Sequence, residues 1–398
     1  MAVTELETVL VGDLKLGMVV HGIAKQAGKL VVKSKGTVSH LTLIDQLSSN
    51  GVISVYVERA KLKSNDTLQK LNDKKQLLQH NKQEAFNKIK HNELSIELAH
   101  ASKLVKQSKV LHKAFVRELK QGLGINVLHA SELVSDIYIS LTRNPNALLI
   151  VSMLMESDEY ISKHSMRVSV LACYFAKQLG MSEHDCKRMS LLGYVYDIGM
   201  LKLPATLLKK PGALNIDERS IMQSHVRHSL DILKPLRLDS EMMLAVEQHH
   251  ERLDGSGYPS AYSGSKISKW SRILAMIDCY DALTTQRVYK DAITPTSALK
   301  HLSTPANGYD QKLVLQFIRA LGVYPVGSLV MLSNKRIAVV LKNNVNKPTQ
   351  PQVKVFYSAI GKHYIKPNNV DLVLYPDSLT ILKPVLASQY KLDLSNVL

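Results

Sequence analysis

Apolar residues recur at three- and four-residue steps through residues 146–322, which is the period of an amphipathic helix. Residues 167–180 show this clearly, because five apolar side chains fall on one helical face: Val168, Leu171, Ala172, Phe175 and Leu179. Gly180 follows them, as is common where a helix ends. Asn215 and Glu218 have the spacing of a capping box, which begins another helix. The sequence therefore predicts a helical domain at residues 146–322.

Segments typical of β-strands flank this helical domain. Residues 52–57 are mostly β-branched or aromatic and lie among glycines, so a small β-rich domain is predicted at residues 1–60. After the helical domain, residues 328–333, 337–341 and 353–357 predict strands of a small β appendage, which together with a tail covers residues 323–398. The predicted fold class is mainly α, with small β-rich N-terminal and C-terminal domains.

Residues 61–145 differ from both neighbours, because they are rich in Gln, Lys, Asn, Glu and Leu and have almost no glycine before Gly122. Four apolar residues in this stretch lie on one helical face: Leu104, Leu111, Phe115 and Leu119. We predict a basic helical connector here. A coiled coil is an alternative, and the pattern is compatible with a dimer.

Positive charge is concentrated in the connector. The chain has a net charge of +17, and residues 61–120 hold 14 Lys and Arg against 6 Asp and Glu. This charge indicates either a solvated helix face or a surface for a polyanion. Nucleic acid is disfavoured as a partner, because no binding motif is recognisable and Phe86 and Phe115 are the only aromatic residues at 61–120.

Membrane and disulfide signals are weak. The longest apolar run, near residues 147–155, is shorter than the ~20 residues of a membrane-spanning helix, and no secretory signal is recognisable. Cys173, Cys186 and Cys279 contain no CxxC pair, so neither a disulfide framework nor a four-cysteine zinc site is predicted. We therefore expect no membrane span and a cytoplasmic location.

Histidine and aspartate residues are scattered along the helical domain. Taken singly, each is more typical of a buried structural residue than of a ligand. Together, imidazoles and carboxylates without thiolates suit iron or manganese better than structural zinc. They outnumber the ligands of one tetrahedral site, so they suggest two ions that share a carboxylate and act on a phosphate. The set comprises His164, Asp197, His225, His249, His250 and Asp278.

The histidine pair opens into a glycine-rich turn that spans residues 249–259. Successive helical residues are rotated by about 100°, so His249 and His250 would serve two different ions or end a helix over one site. Gly255 and Gly257 would let the backbone approach a ligand closely. The alternative interpretation is an ordinary helix end followed by a turn.

Residues 249–259 resemble the signature of the HD-GYP family, bacterial phosphodiesterases of cyclic di-GMP. Further segments resemble the family's motifs in the same order: residues 164–167, Gly199, residues 203–204, residues 209–212, residues 271–278 and residues 281–290. Residues 5–60 resemble a small domain that often precedes such modules. The resemblance implies an all-helical, HD-type metal-dependent phosphohydrolase domain.

The resemblance also implies roles for individual residues. Asp197 would bridge two iron or manganese ions, and the full ligand set would be the six residues named above. Asp197, His225 and Asp278 would be catalytic. Cyclic di-GMP would be opened to the linear dinucleotide or cleaved on to GMP, and the Gly-Tyr-Pro loop would also contact other signalling proteins. The residues implied for the substrate are Asp281, Arg287, Lys290, Gly257, Tyr258 and Pro259.

Two departures from the family pattern lie in one short segment. The His-Asp dyad reads Tyr196-Asp197, and a lysine after Gly199 is replaced by Met200. Tyr160 stands where some members carry an extra glutamate ligand, so a third ion is not predicted. We expect two ions if the chain is active, and one or none if Tyr196 removes a centre. The alternatives to a weakened enzyme are an inactive receptor of cyclic di-GMP and a protein-interaction scaffold.

Overall fold

The computed structural model describes residues 6–15, 18–27, 36–38, 44, 47–48, 51–58, 92–154, 160–286, 291–394 and 397. The chain forms two compact units, Met1–Lys88 and Ile89–Leu398. The division into four domains made from the sequence stays a prediction.

The first unit contains an antiparallel sheet with the strand order β1-β4-β2-β3. Its small core includes Val20, Val38, Val55 and Val57. The predicted strand at residues 52–57 is confirmed, and so is the β-rich character of this unit. The strands are β1 (Leu6–Leu10), β2 (Val19–Gln26), β3 (Gly36–Thr37) and β4 (Val52–Glu58).

The second unit is mainly helical, as predicted. Gly180, with a φ of 72°, follows one helix, and the capping box of Asn215 and Glu218 begins another. None of the described helices is both long and apolar enough to cross a membrane. The helices are α1 (Leu94–Lys120), α2 (Val127–Arg143), α3 (Pro145–Leu154), α4 (Tyr160–Gln178), α5 (Glu183–Val195), α6 (Ala205–Leu208), α7 (Ile216–Gln223), α8 (His225–Leu233), α9 (Ser240–Gln248), α10 (Lys269–Thr284), α11 (Pro295–Leu302) and α12 (Gln311–Leu321).

Helices α1 and α2 share the hydrophobic core of the later helices. Leu104, Leu111 and Phe115 on α1 are buried and Leu119 packs against the same core, so the predicted helical face is confirmed. Helix α1 packs on α2 and α3, and α2 packs on α5. In the described part of the chain, this apolar face is therefore covered by helices of the same chain.

An antiparallel sheet follows the helices, in the strand order β8-β7-β6-β5-β9. The three predicted strands are present, whereas β8 and β9 were not predicted. Both are edge strands: β8 is largely exposed and contains Pro367, and β9 contains Pro384. Edge strands tolerate proline and lack the apolar alternation that identifies a strand. The strands are β5 (Leu329–Leu332), β6 (Arg336–Lys342), β7 (Gln352–Ser358), β8 (His363–Asp371) and β9 (Ile381–Val385).

A close backbone contact joins the end of α5 to the start of α8. The short turn after α5 presses Gly199 against α8, and the Gly199 amide donates a hydrogen bond to Ser229 Oγ at 2.9 Å. A Cβ atom at position 199 would overlap the His225 carbonyl oxygen and the Ser229 amide nitrogen. Glycine at this position therefore lets Asp197, two residues earlier, lie beside His225.

Gly199→Ala is expected to lower the free energy of unfolding by about 1–3 kcal/mol, because the added methyl group must separate two buried backbone segments. Chemical denaturation followed by circular dichroism measures the change. Gly124→Ala is the matched control, since nothing lies within 4 Å of a Cβ atom there, and it should not lower stability. Equal stability of the two variants would contradict the close contact.

Candidate active site

The six residues predicted as metal ligands meet at one place in the second unit, although they are far apart in sequence. One lies within α4 and one within α10, and the others lie at helix ends, where the backbone turns toward a common point. They are His164 on α4, Asp197 after α5, His225 at the start of α8, His249 and His250 after α9, and Asp278 on α10. Their roles as ligands stay predictions.

Three histidines form the tightest group. His225 Nε2 lies 3.4 Å from His249 Nε2 and 3.1 Å from His250 Nε2. One ligand atom from each ring falls within 4.8 Å of the others. Asp197 Oδ1 lies 3.2 Å from His225 Nε2 and adds a carboxylate oxygen to the group. Helix α9 ends at Gln248, so the two adjacent histidines end a helix over one site.

Backbone carbonyls fix the orientation of two of these rings. His225 Nδ1 lies 2.6 Å from the Met222 carbonyl oxygen, and His249 Nδ1 lies 2.7 Å from that of Val246. Each Nδ1–H donates to its carbonyl, so in the neutral ring the Nε2 lone pair points toward Asp197 and the other imidazoles. Lone pairs that face one another in this way are stabilised by a cation, and ligating histidines are commonly held by such second hydrogen bonds.

Burial keeps two of the rings neutral. The pKa of His249 falls to about 3, first because the ring is buried and second because His225 lies beside it. The pKa of His250 is also lowered, by burial and then by His249. A neutral imidazole is the form that binds a metal ion. The donor set therefore fits a divalent cation on chemical grounds.

Tyr196 occupies the other half of the site. Its hydroxyl lies 2.6 Å from His164 Nε2 and donates a hydrogen bond to Asp278 Oδ1 at 2.7 Å. The ring is buried, and burial, followed by the charges of Asp278 and Asp197, raises the pKa of Tyr196 well above its usual value. The phenol therefore keeps its proton and links His164 to Asp278 through hydrogen bonds.

A buried ion pair holds His164 from behind. Asp281 Oδ2 accepts a hydrogen bond from His164 Nδ1 at 2.8 Å, and Asp281 Oδ1 lies 2.6 Å from Arg167 Nε. Burial alone would lower the pKa of His164, but hydrogen bonds to Asp278 and Asp281 outweigh it and raise that pKa to about 9. Asp281 is fully buried. The sequence analysis assigned it to the substrate, whereas the structure places it behind His164.

Arg167 was not predicted as a site residue. Its guanidinium also donates hydrogen bonds to Thr285 Oγ1 at 2.9 Å and to Thr284 Oγ1 at 3.0 Å, and only 2% of the residue is exposed. The available signal was an arginine between Met166 and Val168 on a helix that the apolar spacing predicts to be buried. Such a charge must be paired within the protein.

A cavity of about 240 Å³ opens over the site. Its polar lining includes His164, Asp197, His225, His250 and Asp278. Most of the remaining lining is apolar, and this part includes Met200, Leu207, Leu214 and Met222. The cavity therefore combines imidazole and carboxylate groups with an apolar surface.

The turn after the histidine pair places one aromatic ring in the cavity. Tyr258 lines it and stacks on His250, with ring centroids 4.6 Å apart. A Cβ atom at Gly257 would overlap the backbone of residues 250–252, so this glycine serves contact within the chain. The expectation that Gly257 lets the backbone approach a ligand stays a prediction. Pro259 is exposed and is not among the described residues that line the cavity.

Glu251 holds this turn and was also missed. Its carboxylate accepts hydrogen bonds from the amides of Ser260 at 2.7 Å and Tyr262 at 3.0 Å, and the residue is 2% exposed. Arg287 and Lys290, predicted to bind phosphate, lie outside the described residues. Tyr160, where a glutamate ligand was considered, stacks on His164 with centroids 5.6 Å apart.

Three parts of the chain match known domain families. Residues 149–313 match the HD domain, and residues 6–130 match a domain of unknown function, DUF3391. Residues 329–392 match the KOW domain associated with HD domain. The HD domain match covers every residue of the site described above.

Several named proteins are similar to this chain. The chain is 36% identical over 280 residues to "Cyclic di-GMP phosphodiesterase PA4108" of Pseudomonas aeruginosa, which is 70% of this chain and 68% of that protein. It is 36% identical over 148 residues to "3'3'-cGAMP-specific phosphodiesterase 1" of Vibrio cholerae, 37% of this chain and 34% of that protein. The solved structure of Bd1817 from Bdellovibrio bacteriovorus aligns over 79% of this chain and 98% of that one, at 16% identity and a TM-score of 0.47. Since the match to PA4108 spans more than two thirds of that relative, the chain belongs to the HD-GYP family of cyclic di-GMP phosphodiesterases.

Proposed function

We propose that this chain is a metal-dependent phosphodiesterase that hydrolyses cyclic di-GMP to the linear dinucleotide, with GMP as the product of a second hydrolysis. The observation that carries the proposal is the meeting of three imidazole Nε2 atoms beside Asp197 Oδ1. The choice of substrate is supported by PA4108, a named cyclic di-GMP phosphodiesterase of which this chain covers 68%.

The proposed cation is held by His225, His249, His250 and Asp197. Nitrogen and oxygen donors without a thiolate favour iron or manganese. A divalent cation bound there would polarise a phosphoryl oxygen and lower the pKa of a coordinated water. The chain's own contribution is to fix the rings of His225 and His249 through the carbonyls of Met222 and Val246, so that their lone pairs are aimed before the cation arrives.

We propose one cation rather than two. The resemblance implies that His164 and Asp278 are also ligands, and the Tyr196 hydroxyl forms hydrogen bonds with both side chains. With its pKa raised, this hydroxyl supplies a hydrogen bond and no negative charge. Tyr196 and His164 then orient the Asp278 carboxylate in the place of a metal ion.

The polar and apolar parts of the cavity lining suit different parts of the substrate. We assign the scissile phosphate to the polar part of the cavity, and a ribose or base to the apolar part around Met200 and Met222. Met200 stands where the resemblance expects a lysine, so this chain lacks one cation for the phosphate. Arg287 and Lys290 stay the predicted phosphate-binding residues.

A receptor that binds cyclic di-GMP without cleaving it is the second candidate, and Tyr196 favours it, because a phenol that keeps its proton is a poor metal ligand. The exposed Pro259 leaves the Gly-Tyr-Pro loop accessible to other signalling proteins, as the resemblance implies.

A cytoplasmic location is proposed because no disulfide joins Cys173, Cys186 and Cys279, all of which are described.

His249→Ala is expected to lower both bound metal and hydrolysis of cyclic di-GMP by about 100-fold or more, because it removes a ligand rather than a supporting hydrogen bond. Protein loaded with Mn²⁺ or Fe²⁺ is assayed by elemental analysis and by chromatography of the nucleotide products, with 3'3'-cGAMP as a second substrate. His184→Ala, an exposed histidine on α5, is the matched control and should change neither. Full metal content in His249→Ala would contradict the proposed centre.

Tyr196→His is expected to raise the metal content from about one ion to about two per chain and to increase turnover, because it supplies an imidazole between His164 and Asp278. Tyr196→Phe removes the hydroxyl and supplies no ligand, so it separates the loss of the hydrogen bonds from the gain of a nitrogen. Two ions per chain in the wild-type protein would refute the one-cation proposal. Cyclic di-GMP binding without any product, with either metal, would favour the receptor.

A further inference from the structure

Helices α1 and α2 enclose an open groove that has no part in the site described above. The groove measures about 560 Å³ and is lined largely by apolar surface, to which Leu111, Ala114 and Leu133 contribute. Val110 on α1 also lines it, and 70% of this side chain is exposed. Leu128, near the start of α2, is 69% exposed. An apolar groove beside exposed apolar side chains is typical of an interaction surface.

The two helices bring opposite charges to this groove. Helix α1 contributes Lys103 and Lys106, and α2 contributes Glu132 and Asp136. All four side chains are exposed, and among the described residues none of them forms an ion pair. A ligand that carries one sign of charge would therefore be attracted by one helix and repelled by the other.

We propose that the face of α1 and α2 that carries this groove packs against the same face of a second copy of this chain, in a dimer with two-fold symmetry. In such an interface every contact occurs twice, because residue i of one copy meets residue j of the other and residue j of the first meets residue i of the second. A two-fold axis midway between the basic pair and the acidic pair lays Lys103 and Lys106 of each copy over Glu132 and Asp136 of the other. A self-complementary surface of this kind is satisfied by its own copy without any other protein.

Apolar contact and length support the same arrangement. Val110 lies about one helical turn after Lys106 and lines the same groove, so it would face the other copy. Helix α1 has 27 residues and is therefore about 40 Å long. Two such hairpins packed face to face can reach the ~1,200–2,000 Å² of total buried surface that stable complexes use. Helix α2 packs on α5, which ends at Val195, directly before Tyr196 and Asp197.

The test uses the full chain and two charge-reversal variants, studied by size-exclusion chromatography with light scattering over a dilution series. The first variant is Lys103→Glu with Lys106→Glu, and the second is Glu132→Lys with Asp136→Lys. The wild-type chain should have twice the mass of one chain. Each variant alone should dissociate at concentrations about tenfold or more above the wild type, because like charges then face each other twice.

Mixing the two variants should restore the dimer, since every reversed pair of one variant then faces the opposite charge of the other. Lys300→Glu with Lys347→Glu changes the net charge as the first variant does, but at exposed positions outside the groove. This control should leave the dimer intact. Circular dichroism confirms that each variant is folded. A monomeric wild type, a variant that stays dimeric, or a mixture that stays monomeric would overturn the proposal, and none of these readouts depends on metal or hydrolysis.

Discussion

The placement of three imidazole nitrogens around one point is the constraint on which the site depends. The Nε2 atoms of His225 and His249 lie 3.4 Å apart beside the Asp197 carboxylate, and backbone carbonyls hold both rings there. Three helices end or begin at this point to make that arrangement, and Gly199 allows two of them to approach closely. Burying such a cluster of polar groups costs free energy by itself, and a bound cation would offset that cost.

The site is asymmetric, because hydrogen bonds already join the side chains in the half that contains His164, Tyr196 and Asp278. Tyr196 hydrogen-bonds both His164 and Asp278, and the doubly hydrogen-bonded His164 is itself cationic near neutral pH, since its pKa is about 9. At one position where the resemblance implies a histidine ligand, Tyr196 therefore supplies hydrogen bonds to His164 and Asp278. Asp197 and Asp278 lie next to both halves, so under the one-cation proposal Tyr196 would set how many ions the chain binds.

The sequence predicted the helices, the flanking β-structure and the residues that meet at the site, because helical periodicity and the order of the motifs are properties of the chain itself. It did not predict how Asp281 is used, since that depends on Arg167 being buried against α10. It did not predict the backbone contact of Gly257, because a glycine needed for such a contact looks the same in sequence as one needed for a ligand. The edge strands β8 and β9 lacked the apolar alternation that identifies strands.

Arg167 fixes the spacing between two helices that carry site residues. Its Nε pairs with Asp281, while its two terminal nitrogens hold Thr284 and Thr285 at the C-terminal end of α10. Helix α4 thus cannot slide along α10 without breaking several buried polar contacts at once. The buried contacts of Arg167 therefore set the distance from His164 to Asp278. Because dissolved ions screen buried charges only weakly, the register of these two helices should not depend on the ionic strength of the solution.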